Sequence, residues 1–516
     1  MYLNFVQNKF QPDKIFLVLG LLSVLIGIVF NEWLVVPLFS SDGVIDSSAR
    51  IAIRIFNLLM ILIGVLLVTF RNKIHFDIFK EGDNSFKIIL IAGISLRILV
   101  HIFLQPNNND PHFEVIEFIS QQGALPMSDQ LLMAFHPPLY YLLAAPFAMV
   151  GTAKFVQLLS LFLSLCNFYL LYGLITKTSL LKAHGVKCHV LLLTAILPQF
   201  VIFSSFISND SLSFLLGTLI FIQAFRYIET PTRGHLVLLS IVLGLGLLTK
   251  GSFISNAPIL FMLVVAVGVY RKRTLKQHVA AMAVFCVIVG GLGSYKFIEN
   301  TISIGQPIFD AVNDEKGLHS YVARHGGTYQ GLKSIVDINV VKLVRYPYLG
   351  EQTKHSVPLL LYGTFWYSYI RESNFNATRD YPLTIFPRAM YLVGMLPTIL
   401  ILLGAGTCIW QNRSPMKIFK SPNTEFNIRL KEGVIILFLL CNLALVLTWG
   451  LRHDAWSFFQ GRLLFPSFFS IAILFGWGFQ TISRWRPSLL PTLNFSLLFV
   501  YSVLLSYFVI EIGYQV

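Results

Sequence analysis

Apolar runs recur from residue 15 almost to the C-terminus, near 15–30, 51–70, 88–104, 154–175, 188–206, 211–228, 236–249, 253–270, 279–298, 388–410, 433–449, 463–480 and 488–510. A helix needs about 20 apolar residues to cover the roughly 30 Å hydrocarbon core of a bilayer. The pattern therefore predicts an all-α polytopic membrane protein with about 13 transmembrane helices. One further stretch, PPLYYLLAAPFAMV at 137–150, is apolar but short and framed by prolines, which predicts a helix lying in the interface. Inside the long polar interval after residue 298, VPLLLYGTFWYSYI is also too short to cross; it either lies on the membrane or caps a cavity.

With 137–150 kept out of the span count and the N-terminus inside, the basic stretches RNKIHFDIFK, KTSLLKAHGVK, RKRTLKQH and SRWRP all fall on the inner side. Lys and Arg flank the inner ends of membrane helices, so this arrangement fixes the orientation. It places loop 105–135, the SND turn at 208–210 and a loop from about 300 to 386 outside. The chain thus divides into three regions: 1–298, a transmembrane module carrying a catalytic outer loop at 105–153; 299–387, a long extracytoplasmic loop; and 388–516, the closing transmembrane helices.

Composition narrows the classes. The chain is 55% hydrophobic and 12% charged, which excludes a soluble multidomain protein. The net charge of +14 is dispersed over short inner loops rather than gathered on one face, so it reads as topology and not as a nucleic-acid surface. Its five cysteines lie within or beside apolar runs and imply no disulfide framework.

Charge is scarce enough for its placement to be informative. NNNDPHFEVIEF opens with residues that resist helix; Asp110 can cap a helix whose first residue is Pro111, and Glu114 follows one turn later. No Lys or Arg lies between residues 98 and 153 to neutralise these acids, so Asp110 reads as a cap or as a base, with Glu114 beside it. His136 precedes two prolines that fix an extended entry into the amphipathic segment, whose Tyr140 can sit at headgroup depth. Asp210 opens the sixth apolar run, as a cap or as a second acid. Lys250 closes one apolar run, Arg462 opens another, and Arg97 lies inside a third; each needs a partner, a watery cavity or a path to the headgroups. Carboxylates and cations on one outer face suit a lipid-phosphate substrate: cations receive a departing phosphate while a carboxylate takes the proton of the attacking hydroxyl. Attack from the face opposite the phosphate inverts the anomeric centre.

Four segments in order, NNNDPHFE with HPPLYYLL, the aspartate of SND, GLGLLTK and QGRLLFP, resemble GT-C fold glycosyltransferases of the family 39 type. Relatives of that type include protein O-mannosyltransferases and the aminoarabinose transferase acting on lipid A. The resemblance implies Asp110 as catalytic base, Asp210 as a second acid, Lys250 and Arg462 as phosphate ligands, and His136 as the residue before the double proline. Adjacent Asp-Glu acids are frequent in that family, whereas Pro111 follows Asp110 here, which keeps Glu114 in reserve. The expected activity is transfer of a hexosyl or pentosyl group from a polyprenyl-phosphate sugar to a lipid, glycan or protein acceptor. Its expected setting is the extracytoplasmic face of a bacterial inner (plasma) membrane. No cofactor is firmly implied, and a divalent metal stays open. The alternatives are an enzyme like an O-antigen polymerase or ligase, whose catalytic loop lies late in the chain, and a lipid-linked glycan transporter or flippase, which needs two related halves.

Overall fold

The computed structural model describes residues 83–104, 106, 111–308, 333–345, 356–367, 385–412, 422–452 and 459–515, together with scattered helical positions between 17 and 69. Every regular element among the described residues is helical. In chain order the α-helices are α1 Asp83–Phe103, α2 His112–Gln122, α3 Leu139–Val150, α4 Ala153–Lys177, α5 His184–Ile196, α6 Pro198–Ile202, α7 Asp210–Glu229, α8 Arg233–Leu247 and α9 Ala257–Tyr270. They continue with α10 Leu275–Gly293, α11 Tyr295–Ile304, α12 Lys333–Val336, α13 Val340–Arg345, α14 Val357–Trp366, α15 Ile385–Gln411, α16 Asn423–Arg452, α17 Phe468–Trp485 and α18 Leu490–Gln515.

Nine segments among the described residues are long and apolar enough to cross a membrane, and α5 with α6 and its 3-10 turn makes a tenth if that pair, bent by 56° at Pro198, is one span. Of the first two predicted spans only scattered positions are described, and those are helical. The seventh, predicted at 236–249, is the 15-residue α8. At 1.5 Å per residue it is about 22 Å long, because the chain breaks at Leu248 before the crossing is complete. The 12-residue α3 is too short to cross, as its prolines suggest. It buries Tyr140, Tyr141, Ala144 and Ala145 and turns Leu142, Leu143, Met149 and Val150 outward, the pattern of a helix lying against lipid.

Two devices set the register and direction of the helices. Tight helix contact in lipid relies on small residues. A Cβ on Gly217 would lie 2.1 Å from the Pro466 carbonyl oxygen, so only glycine lets α7 seat against the 3-10 segment Gly461–Ser467. The second device is alternation of direction. α7 leaves the SND turn, α8 returns to it, α9 leaves, and α16 returns before α17 leaves again, so residues 208–210, 250 and 462 meet at one end of the bundle. The opposite end is basic: Lys431 pairs with Glu229 at 2.5 Å, and Arg273 donates to Tyr227 Oη at 3.0 Å and to the Pro231 carbonyl at 2.8 Å. Beneath the first end, Phe200, Phe214, Phe465 and Phe468 cluster, with Phe200 and Phe468 stacked nearly parallel at 4.1 Å between ring centres and Phe465 edge-on to both.

Candidate active site at the ends of the helices

Asp210 is the first residue of α7 rather than its cap. Asn209 holds the cap position and makes no side-chain cap bond. The Asp210 carboxylate is thereby free to turn toward chain segments distant in sequence. Lys250 Nζ donates to its Oδ1, and Arg462 Nη1 lies 3.4 Å from its Oδ2. Ser208 Oγ lies 3.2 Å from both the backbone nitrogen and Oδ2 of Asp210, while Asn209 Nδ2 donates to the Thr249 carbonyl at 3.3 Å. These bonds lock the SND turn onto the length of chain that delivers Lys250. Arg462 also rests its guanidinium 4.7 Å from the Phe203 ring centre, a cation–π contact.

The charges at this point do not balance within the triad. Two cations share one carboxylate, and burying charge is costly unless it is paired. The Asp210 side chain is 3% exposed, whereas Lys250 and Arg462 keep 13% and 11%. A partly open pair of cations at the edge of an apolar bundle is arranged to accept an anion. Both sit at helix breaks: Lys250 precedes the 3-10 segment Gly251–Asn256, and Arg462 lies in Gly461–Ser467. Backbone irregularity of this kind persists at membrane depth only where protein or a cavity satisfies it.

One wall of the site comes from α2, α3 and the chain between them. Leu139 N donates to the Leu248 carbonyl at 3.0 Å, pinning α3 to the end of α8. His112, buried on α2, has its Nδ1 2.7 Å from Tyr141 Oη, and its ring centre lies 5.6 Å from that of His136. Burial, and then the positive potential of His112, Lys250 and Lys296, holds the His136 imidazole well below the ordinary histidine range despite the opposing pull of Asp210. His136 is therefore neutral at physiological pH. Tyr140 is fully buried with its hydroxyl 2.9 Å from Ser160 Oγ, and burial pushes its phenol upward.

The chain between α2 and α3 is clamped from outside the triad. Ser128 donates from its backbone and hydroxyl to Glu299 at 3.0 and 2.6 Å; Ser303 Oγ donates to Glu299 at 2.8 Å, and Lys296 pairs with the same carboxylate. Asn300 Nδ2 donates to the Phe135 carbonyl at 3.2 Å. Burial pushes the Glu299 carboxyl upward, but Lys296 and the Ser128 donors outweigh it and leave it below the ordinary glutamate range.

Of the residues singled out in the sequence, Asp210, Lys250 and Arg462 are brought into contact, and His136 lies within their electrostatic reach. Asp110 falls outside the described residues. Glu114 is exposed on α2, on a different face from His112, Val115, Ile116 and Ile119. Arg97 is tied into a helix junction: it donates to Ser164 Oγ and to the carbonyls of Gly93, Ala195 and Thr194 at 3.0 to 3.3 Å, with Phe168 4.3 Å below its guanidinium. Sequence reasoning missed His112 and Tyr141. The available signal was periodicity, since His112 shares the apolar face of α2 with residues 115, 116 and 119. Among the described residues no three His, Cys, Asp or Glu side chains group as a metal site.

No protein-family model matches the chain, and no curated protein does. Among solved structures it is similar to ArnT from Cupriavidus metallidurans bound to undecaprenyl phosphate, at 13% identity and a TM-score of 0.35, over 78% of this chain and 79% of that one. It is also similar to the Archaeoglobus fulgidus oligosaccharyltransferase tethered to an acceptor peptide, at 13% identity and a TM-score of 0.38, over 84% of this chain and 55% of that one. Both are GT-C enzymes, the class whose motifs the sequence resembles. At TM-scores below 0.5 these similarities lend no weight to a residue's role, and the roles of Asp210 and its partners rest on the geometry around that carboxylate.

Proposed function

We propose that this integral membrane protein is a glycosyltransferase that moves a sugar from a polyprenyl-phosphate donor to an acceptor hydroxyl at the extracytoplasmic face. The observation that carries the reading is the sharing of the Asp210 carboxylate between Lys250 and Arg462, at the end of the bundle opposite the basic loops. Positively charged loops mark the cytoplasmic side, so the cluster belongs to the outer one. Its position at helix ends also speaks against a flippase, whose ionisable residues stand near the midplane.

In this reading Lys250 and Arg462 hold the donor phosphate, while the prenyl chain lies along the apolar helix faces. The acceptor oxygen attacks the anomeric carbon as the bond from that carbon to the phosphate oxygen breaks. The electron pair leaves with the phosphate, whose developing charge the two cations stabilise. The acceptor proton passes to Asp110, and a single displacement inverts the anomeric centre. Asp110 is favoured as the base because it stands two residues before His112, which borders the site, whereas Glu114 is exposed. Asp210, already engaged by two cations, serves to hold them together rather than to take a proton. His136 and Tyr140 shape the wall against which the donor sugar rests.

Mass spectrometry of cell-envelope lipids and glycans from a deletion strain identifies the sugar and acceptor, after which purified variants test the roles. Asp110→Asn is expected to lower transfer about 10²- to 10⁴-fold, the usual worth of a general base, while the protein folds and inserts normally. Glu114→Gln is expected to retain transfer. Near-normal transfer by Asp110→Asn overturns the assignment of the base.

A further inference from the structure

The two cations stand on soft supports. Lys250 immediately precedes one run of 3-10 helix and Arg462 lies within another, and 3-10 hydrogen bonds are poorer than those of an α-helix. Like charges drawn to one carboxylate also repel each other. Something must fix the separation of the two segments, and α16 packs against both.

Asn442 of α16 is 3% exposed within a stretch that is otherwise long and apolar. A buried amide is costly unless both of its arms are bonded. Here both are: Ser255 Oγ donates to Asn442 Oδ1 at 2.8 Å, and Asn442 Nδ2 donates to Ser467 Oγ. Ser255 stands five residues after Lys250 (255 − 250) and Ser467 five after Arg462 (467 − 462). One planar group therefore bonds the same register position of both cation-bearing segments, its acceptor arm facing one and its donor arm the other.

We propose that Asn442 is a positioning residue that sets the spacing of Lys250 and Arg462 about the substrate phosphate, a role that rests on those two cations being the phosphate ligands. It touches no reacting atom. Its effect on phosphate recognition passes through the two serines.

The substitution Asn442→Leu keeps the number and branching of the side-chain heavy atoms and leaves neither hydroxyl stranded, because the single hydroxyl hydrogen of Ser255 can turn to the Ser252 carbonyl, 2.9 Å away, and Ser467 Oγ donates to the Phe438 carbonyl at 3.3 Å. The test measures binding of undecaprenyl phosphate and of the uncharged alcohol undecaprenol to the full-length protein in nanodiscs. The expected result for Asn442→Leu is about tenfold weaker binding of the phosphate with unchanged binding of the alcohol, a coupling of the size seen between neighbouring groups. Ser467→Ala, which removes one arm of the bracket with little loss of volume, is expected to show the same selective loss and stands in should Asn442→Leu fail to fold.

Equal weakening for both ligands reflects a packing defect and overturns the proposal. Unchanged phosphate binding in Asn442→Leu also overturns it, and if Lys250→Ala and Arg462→Ala lose that binding, the phosphate reading survives alone. Wild-type phosphate binding in Lys250→Ala and Arg462→Ala overturns both.

Discussion

Arg97 and Arg462 are both arginines in apolar segments, and the chain treats them in opposite ways. Arg97 is 0% exposed and has every guanidinium nitrogen bonded to protein, to three carbonyls and a hydroxyl in all, with an aromatic ring beneath it. Arg462 faces a carboxylate that already serves Lys250, keeps 11% of its side chain exposed and lies where a helix breaks at the end of the bundle. Under the proposed function the difference separates a cation that holds helices together from one that meets the substrate. A guanidinium satisfied by neutral carbonyls closes its surroundings. One that shares an anion with a second cation leaves a positive field directed at whatever enters.

The largest effect is expected at the centre of the second arrangement. Asp210→Ala removes the carboxylate that Lys250 and Arg462 share, and breaking a buried pair from one side costs about 3 to 5 kcal/mol. Thermal unfolding in detergent is expected to show that loss together with abolished transfer. A stable, active Asp210→Ala would mean that the cations find another partner and that the carboxylate organises neither.

The next pair of substitutions sets the two arginines against each other. Arg97→Met removes four hydrogen bonds from a fully buried junction, so stability is expected to fall by about 2 to 3 kcal/mol while transfer per folded molecule stays within twofold. Arg462→Met leaves the Asp210–Lys250 pair in place and is expected to cost less in unfolding than Arg97→Met, yet under the proposed function transfer falls about 100-fold because one phosphate ligand is gone. Kinetics and unfolding measured on both proteins decide the matter. If the two phenotypes are exchanged, the division between structural and functional cation fails.

Before folding is considered, Arg97 and Arg462 carry the same signal: a charge in or beside an apolar run. The sequence shows that each needs a partner and does not show which. Asp210, Lys250 and Arg462 were legible as candidates because charge is rare in this chain and each stands at the edge of a predicted span. Their meeting depended on helix direction, which the alternation of spans supplies, and on register, which it does not. Gly217 is one source of that register, since its missing side chain sets how closely α7 approaches Pro466. His112, Tyr141 and Asn442 were hidden for a related reason. A histidine on an apolar face, a tyrosine beside a tyrosine and an asparagine in a span are each ordinary until the facing helix is known. The inside-out character of α11 is subtler still: it buries Lys296, Glu299 and Asn300 and exposes Tyr295, Ile298 and Ile302, so its polar face is the one that packs on protein.

That helix supplies the smallest effect and an intermediate case between the two arginines. Lys296 and Glu299 form a charged pair as buried as Arg462, but the carboxylate is saturated by Ser128 and Ser303 as Arg97 is by carbonyls. If saturation marks a structural role, this clamp influences stability and not transfer. Its carboxyl lies below the ordinary value of 4.5 when folded, so as pH falls the unfolded chain binds the proton first. The stabilisation is accordingly complete above about pH 4.5 and fades as pH drops from there through the folded-state value. The expected outcome is an acid-side decline in unfolding temperature that is shallower in Glu299→Gln, with the pH profile of transfer unchanged between the two proteins. A transfer profile that moves with Glu299 would place the clamp with Arg462 instead, as part of the machinery that shapes the site and not merely of the frame around it.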